Sequence, residues 1–512
     1  MYISDFNSSY SIFIYNIYMK RTKLTITFLL FSICLFAGVE KQNLSKLIPY
    51  TPNTDLVVEL DINSLLNKSQ VLDNSTKEGN LLSFLDLSKS SSAIIASLLD
   101  SKGPLDYTSK AYFILFNDLK SDNAVSLHIA VKNYKQLVEL IDELKPTVIQ
   151  SSDYKIINLR ANMFILFNKE QFILTDNIDK ASDTFKSLLF PENTLHKSEF
   201  KKEINKKKND IVILANNLDK LPLNKSKLPF LKFGLEQKHL ANIQYIININ
   251  FEQGKLNVQS ELSCKDRQTQ KALEEFSYSN RVKNKLINYI SPDSKFVGYG
   301  APNKKQISKI LEMDISKPYK SILEDLASIL EKTQGDIAIV LEDVSLNGFL
   351  PSVNFNTLIQ TDDKGILKSI EELFIKYNIQ SKIITNNLYS AVIGNVFTIY
   401  YGIEKDLAFI TTSQSFAKRP LKKNPNIKSS RYYKGKQNFG FLVLDVNEIT
   451  NIPFVADMLH QKLNKREIEV VKNLDYIKIE QQSPFKSNID ISFIDKNTNS
   501  LFYIIHKIID VK

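Results

Sequence analysis

Between positions 125 and 131 the chain alternates strictly: Val125, Leu127, Ile129 and Val131 are apolar, and Ser126, His128 and Ala130 stand between them. A period of two predicts a strand with one face buried and the other exposed. The same phase recurs further on, where Val353, Phe355, Thr357 and Ile359 alternate with Asn354 and Asn356. A residue suited to capping a helix follows each run, Asn133 in the first case and Thr361 in the second. Behind Asn133, Tyr134, Leu137, Val138, Ile141 and Leu144 fall at helical spacing until Pro146 stops the run. Behind Thr361, Ile366, Leu367, Ile370, Leu373 and Phe374 do likewise, so each strand predicts an amphipathic helix after it.

The repetition extends in both directions. Pro52 and Pro292 each open a turn that feeds a short apolar strand, followed by helical patterns over 62–66 and 82–99 in the first case and 305–330 in the second. The segments 111–116 and 336–341 read as buried strands. After the helices, strand pairs are predicted over 163–167 with 172–175, and over 396–401 with 407–411. A further strand follows at 211–214 and at 439–444, with Pro222 and Pro453 just downstream. Last come 243–250 with 256–262 around Gly254, echoed by 476–480 with 489–494, and then a closing helix over 266–278 and over 500–509. The period of the pattern is that of a domain and not of a solenoid unit. The expectation is an α+β protein of two tandem similar domains, 49–278 and 279–512, each a mainly antiparallel sheet with helices packed on one face, the two either packed face to face or set on a flexible joint near 276–290.

Composition changes this picture little. A chain of 512 residues that is 43% hydrophobic and 24% charged is not mainly disordered. A net charge of +10 is modest for this length, and no nucleic-acid partner is expected.

The amino terminus is more informative. Lys20, Arg21 and Lys23 precede an apolar run over 24–39 that closes on Ala37 and Gly38, the layout of a signal peptide over 19–38. Met19 starts the charged region directly, so residues 1–18 read as a misassigned extension. The apolar run is shorter than a bilayer span, and no later stretch is long and apolar enough to cross a membrane. An extracytoplasmic protein is expected, periplasmic or attached to an envelope membrane surface. Cys34, late in the apolar run, is a candidate for lipid attachment.

Chemistry-bearing constellations are sparse. With two cysteines, Cys34 and Cys264, a disulfide framework and a four-thiolate zinc site are excluded. His128, His196, His239, His460 and His506 are scattered without metal-ligand spacing, and His128 falls on the polar face of its strand. Gly298-Tyr299-Gly300 lacks the third glycine and the helix of a dinucleotide loop, and Ser152 with Lys155 has a nucleophile–base spacing common by chance. Glu371 with Glu372, Asp142 with Glu143 and Asp362 with Asp363 are explained by solvated helix faces and first turns. No catalytic, cofactor-binding or metal residue is assigned, and no cofactor is expected.

One repeated polar feature remains. Before the strands at 211 and 439, basic connectors carry Lys206, Lys207 and Lys208 in the first case and Lys422, Lys423 and Arg431 in the second, with Tyr432 and Tyr433 interleaved. These six residues are candidates for contact with an anionic envelope surface, against the alternative of plain solvated loops.

The opening at 52–61 has the form Pro-x-x-(Thr/Ser)-x-x-Val-Val-x-(Leu/Val)-(Asp/Asn), nearly matched here, and with the patterns at 112–116 and 125–144 it resembles exported, often lipid-anchored bacterial proteins of unknown function. The resemblance implies an envelope location and carries no catalytic residues with it. The second opening departs from the pattern at Gly298 and Gly300. The function expected is therefore a noncatalytic envelope protein that binds or scaffolds an anionic envelope component or another envelope protein. The alternative is an envelope hydrolase whose site is assembled from residues distant in sequence.

Overall fold

A computed structural model of the chain describes residues 44–51, 54–69, 103–116, 124–143, 148–150, 154–160, 163–176, 182–204, 209–216, 237–276, 280–304, 317–347, 350–394, 397–420, 422–423 and 439–504. The first part carries strands β1 (Thr54–Leu60), β2 (Leu105–Asp106), β3 (Ala111–Phe116), β4 (Ala124–Val131), β5 (Val148–Gln150), β6 (Lys155–Arg160), β7 (Met163–Phe167), β8 (Gln171–Asp176), β9 (Ile211–Ala215), β10 (Ile243–Glu252) and β11 (Lys255–Cys264). The second carries β12 (Phe296–Gly300), β13 (Ile337–Asn347), β14 (Leu350–Gln360), β15 (Ser381–Thr385), β16 (Leu388–Ile393), β17 (Phe397–Glu404), β18 (Leu407–Thr411), β19 (Gly440–Asp445), β20 (Leu474–Ser483) and β21 (Lys486–Phe493).

Two separate tandem domains are not what forms. Antiparallel pairing runs without a break in the order 5-6-7-8-4-3-1-9-10-11-21-20-19-12-13-14-18-17-16-15, twenty strands in one sheet, with the short β2 added to the end of β4. The expectation fails at β11, which pairs with β21 over Lys255–Glu261 and Lys486–Ser492. A strand edge that exposes a row of amides and carbonyls is a liability, and pairing these two edges removes both.

Read from its outer edge inward, each half of the sheet follows the same order of its own strands. The registers agree as well. Glu59 leads across the sheet through Val212 and Asn248 to Gln259. Tyr299 leads through Phe441 and Glu480 to Asn488 in the same number of steps. Gln259 and Asn488 then face each other directly, so a local two-fold relation of the backbone passes between them.

The helices also depart from expectation, because they lie on both faces of the sheet. Successive strand residues point to opposite sides. On one side Leu127, Ile129, Ile165 and Phe167 pack with Leu137 and Ile141 of the helix Tyr134–Asp142 and with Ile62 and Leu65 of the helix Ile62–Ser69. On the other, Ile173 and Leu166 pack with Leu188 and Leu189 of the helix Ser182–Leu189, and Val57, Tyr112 and Ile114 with Leu44, Ile48, Leu195 and Phe200. In the second half, Val297, Tyr299, Ala338 and Val443 are covered by Val282, Leu286 and Ile290. The opposite face there holds Ile359, Tyr401 and Ala408 against Ile366, Ile370 and Phe374 of the helix Gly365–Lys376.

Asn133 caps its helix as predicted, accepting from Gln136 N at 3.1 Å. Thr361 does not cap. Its hydroxyl donates to Lys332 O at 2.7 Å, and the helix begins at Gly365, whose N–H donates to Asp363 at 2.8 Å.

Gly254, at the β10–β11 turn, is held between the halves. Its φ is +61°, and a Cβ there would sit 2.6 Å from Lys496 Cα. Its N–H donates to Thr498 O and its carbonyl accepts from Phe493 N, both at 2.8 Å. Only glycine meets both the left-handed backbone and that close approach.

Candidate functional site

Of the six basic residues singled out by sequence, Lys422 and Lys423 are described. Both are exposed, just after the helix Gln414–Lys418. Lys206, Lys207, Lys208 and Arg431 lie outside the described residues, as do Cys34, residues 1–18 and the leader-like stretch 19–38. The helical pattern at 82–99 and Ser152 also lie outside them, while Lys155 is nearly buried and paired with Asp142 at 3.5 Å. Among the described residues no helix is long and apolar enough to cross a membrane, and no three His, Cys, Asp or Glu side chains are grouped as metal ligands.

His128, on the polar face of its strand and expected at the surface or partly buried, is fully buried. Because the sheet is covered on both sides, the polar set of β4 is as buried as the apolar set: Ser126, His128 and Ala130 are all inaccessible. His128 Nε2 lies 2.9 Å from Ser126 Oγ and Nδ1 lies 3.4 Å from Gln171 Oε1, while Gln171 Nε2 donates to Leu189 O at 2.7 Å. Burial disfavours the imidazolium and lowers the His128 pKa to about 4, although the Gln171 hydrogen bond works the other way.

The buried carboxylates tie separate segments together. Glu59, on β1, is bonded by Lys110 and accepts from Tyr112 Oη at 2.9 Å; burial raises its pKa against those two partners. At the matching register of the second half, Tyr299 takes the place of the carboxylate and donates to Asp336 at 2.6 Å. Asp336 also accepts from Lys283 N at 2.7 Å and Lys285 N at 3.1 Å. Asp210 accepts from Ser64 Oγ at 2.6 Å, Lys68 Nζ at 2.7 Å and Phe251 N at 2.6 Å. At the junction of the halves, Asp490 takes Lys255 at 2.8 Å and Asn257 at 2.6 Å. Burial opposes that carboxylate, but these donors outweigh it and hold its pKa below the usual value.

A cleft of about 860 Å³ opens between the helix Arg267–Phe276, residues 280–283, and the loops at 301–304 and 333–335. Lys271, Arg281, Lys283 and Lys304 line it, facing two carboxylates, Glu274 and Glu275. Lys283 Nζ donates to Gln334 O at 3.1 Å and Lys304 Nζ to Glu331 O at 2.8 Å, so both ammonium groups are held near the carbonyl end of the helix Lys317–Glu331, where positive charge is favoured. Asp336 fixes the backbone of Lys283 from beneath. Sequence reasoning missed this cleft. Its one local signal is the close spacing of Lys271, Arg281 and Lys283 around the end of a helix; the approach of Lys304 and Gln334 is set by the sheet.

A family model described as a domain of unknown function, DUF4836, matches residues 46–501. Neither the comparison with curated proteins nor that with solved structures finds a match.

Proposed function

Since the chain belongs to the DUF4836 family of domains of unknown function, its role rests on its own residues, and we propose a noncatalytic binding or scaffolding protein of the cell envelope. The observation that carries this reading is the use made of the buried carboxylates. Glu59, Asp210, Asp336 and Asp490 are each engaged by two or more donors from other segments, an arrangement that fixes the fold and leaves their lone pairs committed. Export is supported by the basic residues before the apolar run that ends at Ala37 and Gly38, and Cys34 is the candidate for a lipid anchor. The repeated strand order, with Gln259 opposite Asn488, supports descent of the two halves from one duplicated unit.

Contact with an anionic envelope component is assigned to the basic connectors, of which Lys422 and Lys423 stand exposed. Each basic side chain near an anionic surface contributes up to about 1 kcal/mol. Replacing Lys422, Lys423 and Arg431 together by glutamate is therefore expected to weaken binding to phosphatidylglycerol vesicles at low ionic strength, read by co-sedimentation, by at least tenfold. Unchanged co-sedimentation would remove this role from the connectors.

A further inference from the structure

We propose that the cleft lined by Lys271, Arg281, Lys283 and Lys304 binds a small phosphate-bearing molecule. This goes beyond the envelope reading and does not depend on it. Four cationic side chains face the cleft against two carboxylates, a local excess of two positive charges gathered from three segments of the chain. Lys283 is already oriented, its ammonium using one hydrogen bond to Gln334 O and keeping further donors for a ligand, and Lys304 is held at the cleft by Glu331 O. Lys271 and Arg281 are exposed, and among the described residues neither side chain has a hydrogen bond or ion pair.

The guanidinium of Arg281 offers the planar pair of donors that matches a phosphate, and the lysines supply point charges around it. A monocarboxylate would need one such partner, whereas a phosphate group with two negative charges uses several. The cleft volume lies in the range of small-molecule sites. Glu274 and Glu275, on the last turn of the helix Arg267–Phe276, place negative charge beside these cations and disfavour an extended polyanion along that side.

The test is calorimetric titration of the full chain with inorganic pyrophosphate at low ionic strength, repeated on Lys271→Gln/Arg281→Gln and on a control, Lys135→Gln, taken from an exposed helix face away from the cleft. Because Lys271 and Arg281 are exposed, the double substitution removes no core contact, and an unchanged melting temperature verifies this. Saturable binding that weakens at least tenfold in the double variant and not in the control is the expected result. A second arm adds vesicles containing phosphatidic acid. If these displace pyrophosphate, the bound phosphate is that of a lipid headgroup; if they do not, it is that of a soluble ligand. Absence of saturable binding in both arms, or binding that survives the double substitution, overturns the proposal. Failure of the connector variants to alter vesicle binding would leave this result untouched, so the two readings fail separately.

Discussion

Asp336→Ala is expected to destabilise the protein by about 4 kcal/mol, at the upper end of what one buried polar substitution costs. The carboxylate is fully inaccessible and accepts from three donors: Tyr299 Oη and the backbone N–H groups of Lys283 and Lys285. Removing it leaves those donors without their acceptor beneath a packed layer. Tyr299, whose hydroxyl pKa burial and the Asp336 carboxylate both raise, stacks on Phe441 with ring centroids 5.3 Å apart, so it cannot turn outward without unpacking that pair. Asp336→Asn keeps one acceptor oxygen but sets its NH2 donor against a backbone N–H or the Tyr299 hydroxyl, so it is expected to cost about 3 kcal/mol, nearly as much as alanine. Urea unfolding of the two variants checks both figures. A loss under about 1 kcal/mol for alanine would mean that the loop at 283–285 is held by something else. Because that loop carries Lys283, Asp336→Ala should also loosen the cleft.

The second large effect is a dependence on pH carried by His128. Its pKa is lowered from 6.5 to about 4 in the folded protein, so between those values the unfolded chain binds a proton that the folded chain refuses. Stability from this residue is fully present above pH 6.5, declines as the pH falls and is exhausted near pH 4. A separation of this size corresponds to about 3 kcal/mol. Carboxylates titrate in the lower part of the same window, so the quantity to measure is the difference between wild type and His128→Gln. Glutamine can still bond Ser126 and Gln171 but carries no titrating proton. The two stability curves are expected to converge as the pH falls from 7 to 4.5; parallel curves would place His128 in water.

His128 also shows where local pattern stops being informative. The alternation over 125–131 identifies β4 as a strand, because side chains on a pleated backbone repeat every two residues. It cannot reveal that the polar set is covered as well, since the cover comes from segments about 60 to 80 residues away, including the helix Ser182–Leu189 and the turns near Leu44 and Phe200. Thr361 fails as a cap because the helix starts four residues beyond it: its hydroxyl donates to Lys332 O and accepts from Asp363 N in a turn ahead of Gly365.

The outer strands β15 and β16 escaped the sequence reading because neither carries a clean apolar face. Ile383 of β15 is 75% exposed, and its neighbours Lys382 and Ile384 are exposed too. The joining of the halves leaves the least trace of all. Asn257 reaches Asp490 and Ser260 reaches Ser487 across more than 220 residues of chain, and each strand alone reads as half of an ordinary hairpin. The cleft inherits this: its lysines and arginine look like solvated charge until the sheet brings them together.

Pairing of β11 with β21 is what makes one sheet of two halves, and Ser260 and Ser487 test it directly. The two residues are register partners with hydroxyl oxygens 2.6 Å apart. Cross-strand partners stand at a Cα separation that a disulfide can bridge. With Cys34 and Cys264 replaced by serine, Ser260→Cys/Ser487→Cys is expected to form an intramolecular disulfide on mild oxidation, whereas Ser260→Cys/Asn488→Cys, with side chains on opposite faces, is not. A first pair that remains reduced under conditions where the folded protein is intact would contradict the continuous sheet and return the chain to two separately closed units.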